Sequence, residues 1–558
     1  MKRRQFLQIG PALGAASLAA STTIHPSSAA ASGAPDVDAP LAQSPRPFEH
    51  DEATIAGLRQ AMDAGTLTSR ALTEAYLKRI DTIDRVGAGD RAGADSGPRL
   101  NSVIEVNPEA LAIAEQLDRD RKNGVTRGPL HGIPILIKDN IDTADRMKTS
   151  AGSLALAGWT PAQDATVAER LRRAGAVILG KTNLSEWANF RSERSTSGWS
   201  GRGGQTRNPY ALDRNPCGSS SGSGAAVAAN LCAAAIGTET DGSIVCPASI
   251  NGIVGIKPTV GLVSRAGIIP ISASQDTAGP MARTVADAAA LLSVLTGVDP
   301  RDAATIASRT HAGVDYTRGL DTGALKGVRL GVARKSFGGS DKVDRVFAEA
   351  LAALKSAGAV LIDPADLPSA GKMDEPEYEV LLYEFKDGLN TYLAAAGSRA
   401  PARTLAALIE YNEQHRDKEM PFFGQEIFLK AEKKGPLTAP AYRAARRLSR
   451  TLARTQGIDA VLTQHRVQAI IAMTTGPAWP TDLINGDRFT GGSSTPAAVA
   501  GYPSVTVPMG YIHGLPVGVS FFGAAWTDAT LIRLAYAFEQ ATKIRKPPRF
   551  LPTADLST

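Results

Sequence analysis

Cysteine is scarce in this chain: Cys217, Cys232 and Cys246 are the only three among 558 residues. They form no CxxC pair, and His131, His311, His415, His465 and His513 are scattered singly. Zinc-finger and iron–sulfur spacings are therefore absent, and neither a metal nor a cofactor is expected. All three thiols sit in apolar or glycine-rich sequence and are expected to be buried and free, as small hydrophobes. An odd count leaves room for at most one internal disulfide as the alternative.

Runs of like charge are also missing, so there is no polyanion-binding or membrane-surface tail. The formal net charge is +6. The first thirty-one residues read as an export signal, with a basic start (Lys2, Arg3, Arg4), a modest apolar run from Ile9 to Ala20, and small residues from Ser27 to Ala31. Gly10, Pro11 and Gly14 break that run, which is far short of the ~20 apolar residues of a membrane span. Arg3-Arg4 followed by Gln5-Phe6-Leu7 resembles a twin-arginine address. An exported, periplasmic or secreted protein handled by the twin-arginine machinery is the expectation. Removing residues 1–31 takes away only Lys2, Arg3 and Arg4 among charged groups and leaves +3. So balanced a protein carries no electrostatic footprint for nucleic acid.

What is present is an ordinary globular composition, 43% hydrophobic and 21% charged, with ample core for a large fold. Residues 32–50 are rich in Ala, Pro, Ser and Asp and read as a flexible lead-in, and 91–99 reads as a loop. Helical periodicity starts at Thr68, with Leu72, Tyr76, Ile80 and Ile83 on one face and Thr68 or Ser69 as the cap. Helices are expected over Pro108–Leu117, around Val167 and Leu171, over Thr284–Leu295 and Val343–Ala357, and through much of 372–450. Ala225–Ala235 is apolar all round and is expected to be one helix buried on every side. Short apolar runs at Ile133–Ile137 and Ala176–Lys181 read as buried strands, "INGIVGIKPT", "GVRLGVA" and "AVLID" as further strands, and "AIIAM", "SVTVPMG" and "PVGVSFFG" as a return to α/β character. Strand alternating with helix, without repeats or a long linker after residue 100, points to one large α/β domain over 51–550.

The stretch "NPCGSSSGSG" (215–224) demands a separate account. A linker does not lead straight into a buried helix, and a phosphate loop needs Lys where this chain has Ala225. The GxSxG pattern at Gly218, Ser220 and Gly222 is formally present, but the preceding "TRNPYALDRNPC" does not read as the strand that a nucleophile elbow requires. Three pieces read together suggest another chemistry: a lysine ending a buried strand (Lys138), the serine loop, and a second Gly-Ser turn at Gly242-Ser243. A serine becomes a nucleophile when a base takes its proton, and burial lowers a lysine enough to serve as that base. Lys181 and Lys257 also follow apolar runs and are alternatives for this role.

The blocks "GIPILIKDNID", "GKTNLSEWANF", "NPCGSSSGSGAAVAA", "GTETDGSIVCPASINGIVGIKPTVGLVS", "DTAGPMARTVADAA" and "GYPSVTVPMGYIHGLPVGVSFFG" resemble the amidase signature family over roughly 52–546. Within it the likeness runs to peptide amidases, through "SEWANFRS", "SGWS" and "TETDGSIVCPAS". The resemblance implies a mixed sheet flanked by helices on both faces. It implies Lys138 as catalytic lysine, Ser219 as the relay serine behind a cis Gly218–Ser219 bond, and Ser243 as nucleophile. The backbone N–H groups of Thr240, Asp241, Gly242 and Ser243 are implied as the oxyanion hole, where each well-placed donor is typically worth ~2.7–4 kcal/mol. Asp241 stands where the family usually has Gly, and is expected to face the substrate channel and read a substrate group. Trp187, Phe190 and Trp199 are expected to wall the substrate pocket. The implied reaction is hydrolysis of a carboxamide through an acyl-enzyme, most specifically removal of the C-terminal amide of peptides as ammonia. Alternatives are a broad aliphatic or aryl amidase, a component of a glutamine-dependent tRNA amidotransferase, and a non-catalytic binding protein on the same scaffold.

Overall fold

Apolar runs too short for helices become strands between amphipathic helices. The computed structural model describes residues 48–84, 99–335, 340–396 and 402–557. The export signal, most of the lead-in and all but Arg99 of the loop at 91–99 lie outside these. The strands are β1 (Val103–Val106), β2 (Pro134–Lys138), β3 (Val177–Thr182), β4 (Trp199–Ser200), β5 (Gly204–Gln205), β6 (Ala234–Glu239) and β7 (Val254–Lys257). They continue as β8 (Thr277–Ala282), β9 (Arg329–Val332), β10 (Val360–Ile362), β11 (Ala469–Met473), β12 (Ser504–Ile512) and β13 (Leu515–Phe522).

β4 and β5 pair with each other, and the rest form one eleven-stranded sheet in the order β1-β3-β2-β6-β8-β7-β12-β13-β11-β9-β10. The sheet is mixed: β2 runs parallel to β3 and β6, whereas β8 is antiparallel to both β6 and β7. β2, β3, β6, β8 and β13 are buried at every position, the signature of strands covered on both faces. The cover comes from helices such as Thr166–Arg173, Ser221–Ala228, Val285–Leu295 and Asp528–Thr542, all packed on sheet strands. The helix Thr166–Arg173 is the crossover between parallel neighbours β2 and β3. Lys138 thus stands at the C-terminal end of β2, beside Thr238 and Glu239 at the same end of β6, where α/β sheets commonly hold their ligands.

The segment 225–235 is buried throughout but is not one helix. The helix ends at Ala228, Asn230 adopts a left-handed conformation (φ 57°), and Ala234 begins β6. Alanine-rich sequence buried on all sides has no periodicity to separate helix from strand, and one left-handed residue is enough to break the helix. The expectation of three free thiols is also corrected: Cys217 and Cys246 are joined in a disulfide, and only Cys232 is free and buried. The two partners are 29 residues apart in sequence and meet because the serine loop and the turn after β6 converge.

The 372–450 region is helical as expected, with helices Asp374–Ala396, Leu405–Gln414, Arg416–Glu419, Glu426–Glu432 and Pro440–Ala453. Phe385, Leu389, Leu393, Leu405, Leu408 and Phe428 belong to an apolar cluster separate from the main core. No helix among the described residues is long and apolar enough to cross a membrane.

Candidate active site

Lys138, Lys181 and Lys257 are all fully buried, and their partners separate them. Lys181 Nζ donates to Ile141 O (2.5 Å) and Thr149 Oγ1 (2.9 Å), and Lys257 Nζ to Pro258 O (3.2 Å). Lys138 Nζ lies 2.7 Å from Ser219 Oγ, 2.9 Å from Thr238 Oγ1 and 3.2 Å from Thr238 O. Of the three lysines, only Lys138 reaches the serine loop. Burial drives its ammonium down to about 7, against the opposing pull of Asp276 and Glu239.

A neutral amine fits these contacts. The carbonyl of Thr238 can only accept and its hydroxyl can also accept, so two N–H donors are satisfied there and the lone pair is left for the Ser219 hydroxyl. Asn140 Nδ2 also donates to Thr238 Oγ1 (3.0 Å), so Thr238 and Asn140 complete the surroundings of the lysine. Neither was singled out in the sequence, although both stand inside quoted blocks, "KDN" and "TETDGS".

Ser219 follows a cis peptide bond after Gly218 and precedes the helix Ser221–Ala228. Gly222 is required by close approach, since a Cβ there would run into the backbone of Ser102 and Asn183. The serine loop and the Gly-Ser turn are joined through main chain, Ser220 N donating to Ser243 O (3.2 Å). Ser219 is fully buried while Ser243 keeps 8% exposure, the difference between an internal group and one that solvent or substrate can reach. Among the described residues no hydrogen bond links the two hydroxyls.

The turn itself depends on Gly242, whose φ of +81° is in the left-handed region that glycine adopts without strain. Glu239 Oε2 accepts from the N–H groups of Ile244 (2.8 Å) and Val245 (3.0 Å), fixing the start of the helix Val245–Ile250. The N–H groups of Thr240, Gly242 and Ser243 have no acceptor among the described residues. Backbone donors left without partners in a nearly buried turn suit an arriving anion. Asp241, by contrast, accepts from Thr495 Oγ1 (2.8 Å) at the start of the helix Ser494–Ala500.

The three aromatic residues expected as pocket walls are divided by the structure. Trp187 lines a small cleft with Asn140, Ala188, Ile269, Ile271 and Phe385. Phe190 stands behind that wall, its ring 5.1 Å from Phe385. Trp199 belongs to a different cluster, against Phe422, Phe423 and the Arg191 guanidinium. The cleft wall at 269–271 and Phe385 carried no sequence signal beyond hydrophobicity.

Comparison with known proteins places the whole chain rather than single residues. The amidase family profile matches residues 71–532. The structure of a native peptide amidase from Stenotrophomonas maltophilia superposes with a TM-score of 0.85 at 54% identity, covering 90% of this chain and 100% of that one. An Arabidopsis thaliana protein described as a probable amidase is 44% identical over 90% of this chain and 93% of its own length. One component of the glutamyl-tRNA(Gln) amidotransferase of Chloroflexus aurantiacus is 36% identical over 88% of this chain and 96% of its own length. Alike to such proteins over nearly its whole length, this chain belongs to the amidase family and is an amide-hydrolysing enzyme.

Proposed function

We propose that the enzyme removes the C-terminal amide of peptides, releasing ammonia, with Ser243 as nucleophile, Ser219 as relay and Lys138 as base. The observation that carries the chemistry is the contact of buried Lys138 Nζ with Ser219 Oγ at 2.7 Å. The likeness to the peptide amidase supports the substrate class. Ser243 Oγ attacks the amide carbonyl carbon as its proton moves to Ser219 and the Ser219 proton to Lys138 Nζ. The oxyanion is received by the N–H groups of the 240–243 turn. The C–N bond breaks, the departing nitrogen takes the proton back through Ser219, and ammonia leaves an ester on Ser243 that water then hydrolyses. Contacts between catalytic groups that are open in the free enzyme commonly tighten when substrate binds, which accommodates the unbonded Ser219–Ser243 pair.

The test compares kcat/KM for a tripeptide amide, the corresponding free amino-acid amide, acetamide, an aryl anilide and glutamine, with products resolved by mass. The tripeptide amide is expected to lead, since remote binding energy orients the scissile bond. Preference for acetamide, the anilide or glutamine, or shortened peptides among the products, overturns the substrate assignment while leaving amide hydrolysis in place.

The same reading includes export. It is supported by the Arg3-Arg4 sequence and by the Cys217–Cys246 disulfide, a bond that persists chiefly in oxidising compartments. Replacing Arg3-Arg4 by Lys-Lys should sharply lower the enzyme recovered outside the cytoplasm. An unchanged level rejects the twin-arginine route.

A further inference from the structure

One carboxylate joins two parts of the site and takes no part in the steps above. Asp276 immediately precedes β8. Its Oδ1 accepts from Thr240 Oγ1 (2.6 Å), and its Oδ2 accepts from the N–H groups of Ile271 and Ser272 (2.8 Å each). Thr240 opens the turn of unpaired amides, and Ile271 lines the cleft beside Trp187 and Phe385. Gln275 holds the same threonine by its other oxygen: Nε2 donates to Thr240 O (3.3 Å) and to Glu377 Oε1 (2.8 Å). The turn is thereby set against the cleft wall by adjacent side chains of one short segment.

We propose that Asp276 is the positioning residue of this site, fixing the 240–243 turn relative to the cleft wall and supplying a negative charge to Lys138. This rests on the catalytic reading given above. Two acidic groups act on Lys138: Asp276 and, from the end of β6, Glu239. Asp276 in turn faces Arg265, which is paired with Asp302 and lies near Glu384 of the helix Asp374–Ala396. Burial pushes the Asp276 carboxyl up to about 6, against the hydrogen bonds it accepts and the Arg265 charge.

The sign of the effect follows from charge. Ionised Asp276 favours the ammonium form of Lys138, and so raises the pH at which the lysine becomes a usable base. Asp276→Asn keeps the shape and removes the charge, so the lysine titrates lower and the acid limb of kcat/KM moves to lower pH. A shift of roughly half a unit or more is expected, together with a kcat loss of about 10–100-fold from misplaced amides. Thr240→Val removes only the hydroxyl tie and keeps the Asp276 charge. It should lower kcat without moving the limb. A merely structural residue would change the folded fraction and leave both the limb and KM where they are.

The experiment measures pH profiles of tripeptide-amide hydrolysis for wild type, Asp276→Asn and Thr240→Val, with thermal melting to establish folding. A second readout, independent of amide substrate, is the pH dependence of Ser243 modification by phenylmethylsulfonyl fluoride, followed by mass. A lower limb in Asp276→Asn by either readout, with none in Thr240→Val, supports the proposal. A wild-type limb or undiminished kcat in Asp276→Asn overturns it, and so does a limb shift of equal size in Thr240→Val. If wild type neither hydrolyses amides nor is modified at Ser243, the catalytic reading itself fails, and this inference with it.

Discussion

The turns at 217–221 and 240–245 are held by directional bonds, whereas the helices at 374–453 add an apolar cluster of their own to such bonds. In the first region Ser220 N donates to Ser243 O, Ser220 Oγ to Thr238 O (3.1 Å) and Ser221 Oγ to Cys217 O (2.5 Å), while the Cys217–Cys246 bridge spans both turns. In the second, Phe385, Leu389, Leu393 and Phe428 form their own cluster. Hydrogen bonds also fasten it to the rest, among them Tyr392 OH to Asp142 Oδ1 (2.7 Å), Ser272 Oγ to Glu384 Oε2 (2.5 Å), Ser153 Oγ to Glu419 Oε1 (2.9 Å) and Ser192 Oγ to Glu426 Oε2 (2.6 Å). Hydrogen bonds require particular distances and angles, while an apolar cluster tolerates exchanges that conserve volume. The groups assigned to bond cleavage therefore sit in the region that admits little change. One side of the cleft, through Phe385, belongs to the region that can be altered.

The sharpest way to break this contrast is to remove the chemistry and ask whether the fold notices. Ser243→Ala and Lys138→Ala should each reduce kcat by about 10⁴–10⁶-fold, with melting temperatures close to wild type. Ser219→Ala should be severe but smaller, because water can partly replace the relay. Residual wild-type turnover in Ser243→Ala would remove the nucleophile assignment. In the helical region the balance should reverse. Phe428→Ala leaves a void in its cluster and should cost roughly 3–5 kcal/mol of stability in denaturant titration. Folded Phe428→Ala should keep its kcat on acetamide while KM for tripeptide amides rises, since Phe428 packs against both Trp187 and Phe385.

The bridge tests whether the turns need covalent help. Replacing Cys217 and Cys246 by Ala should lower stability by about 3–4 kcal/mol on a chain-entropy account of a loop of this length. A loss of kcat alongside would show that the bridge also holds the two turns in register, and an unchanged kcat would leave that task to hydrogen bonds alone. The smallest effect is graded by pH. A base must be neutral, and Lys138 is protonated below about 7. Activity should then fall about tenfold for each unit below that value and level off above it, in a kcat/KM profile of the unmodified enzyme.

Much of the fold could be read from residues in order. Strands β2, β3, β7, β9, β10 and β11 fall on runs that are apolar and short, and the helix Ser69–Ile83 begins after its capping threonine, Thr68. Other elements could not. β8 contains Gly279 and Pro280, residues that argue against a strand, yet Pro280 pairs with Ile236 of β6. The alanine run before β6 hid a helix end and a strand start, because uniform burial erases periodicity.

By itself, the sequence determined the residue types of the site and their places at strand ends and glycine turns. Those depend on local chemistry, such as apolar runs that bury Lys138 and glycines that permit the turn at Gly242. Only the tertiary structure decided which of three buried lysines meets the serine loop, because sheet order and the β2–β6 pairing set that contact. It also decided that Cys217 reaches Cys246, that Trp187 rather than Trp199 lines the cleft, and that Asp276 spans the turn and the wall. Each of these joins segments distant in sequence or divides neighbours within it, and no pattern of adjacent residues encodes a distance through space.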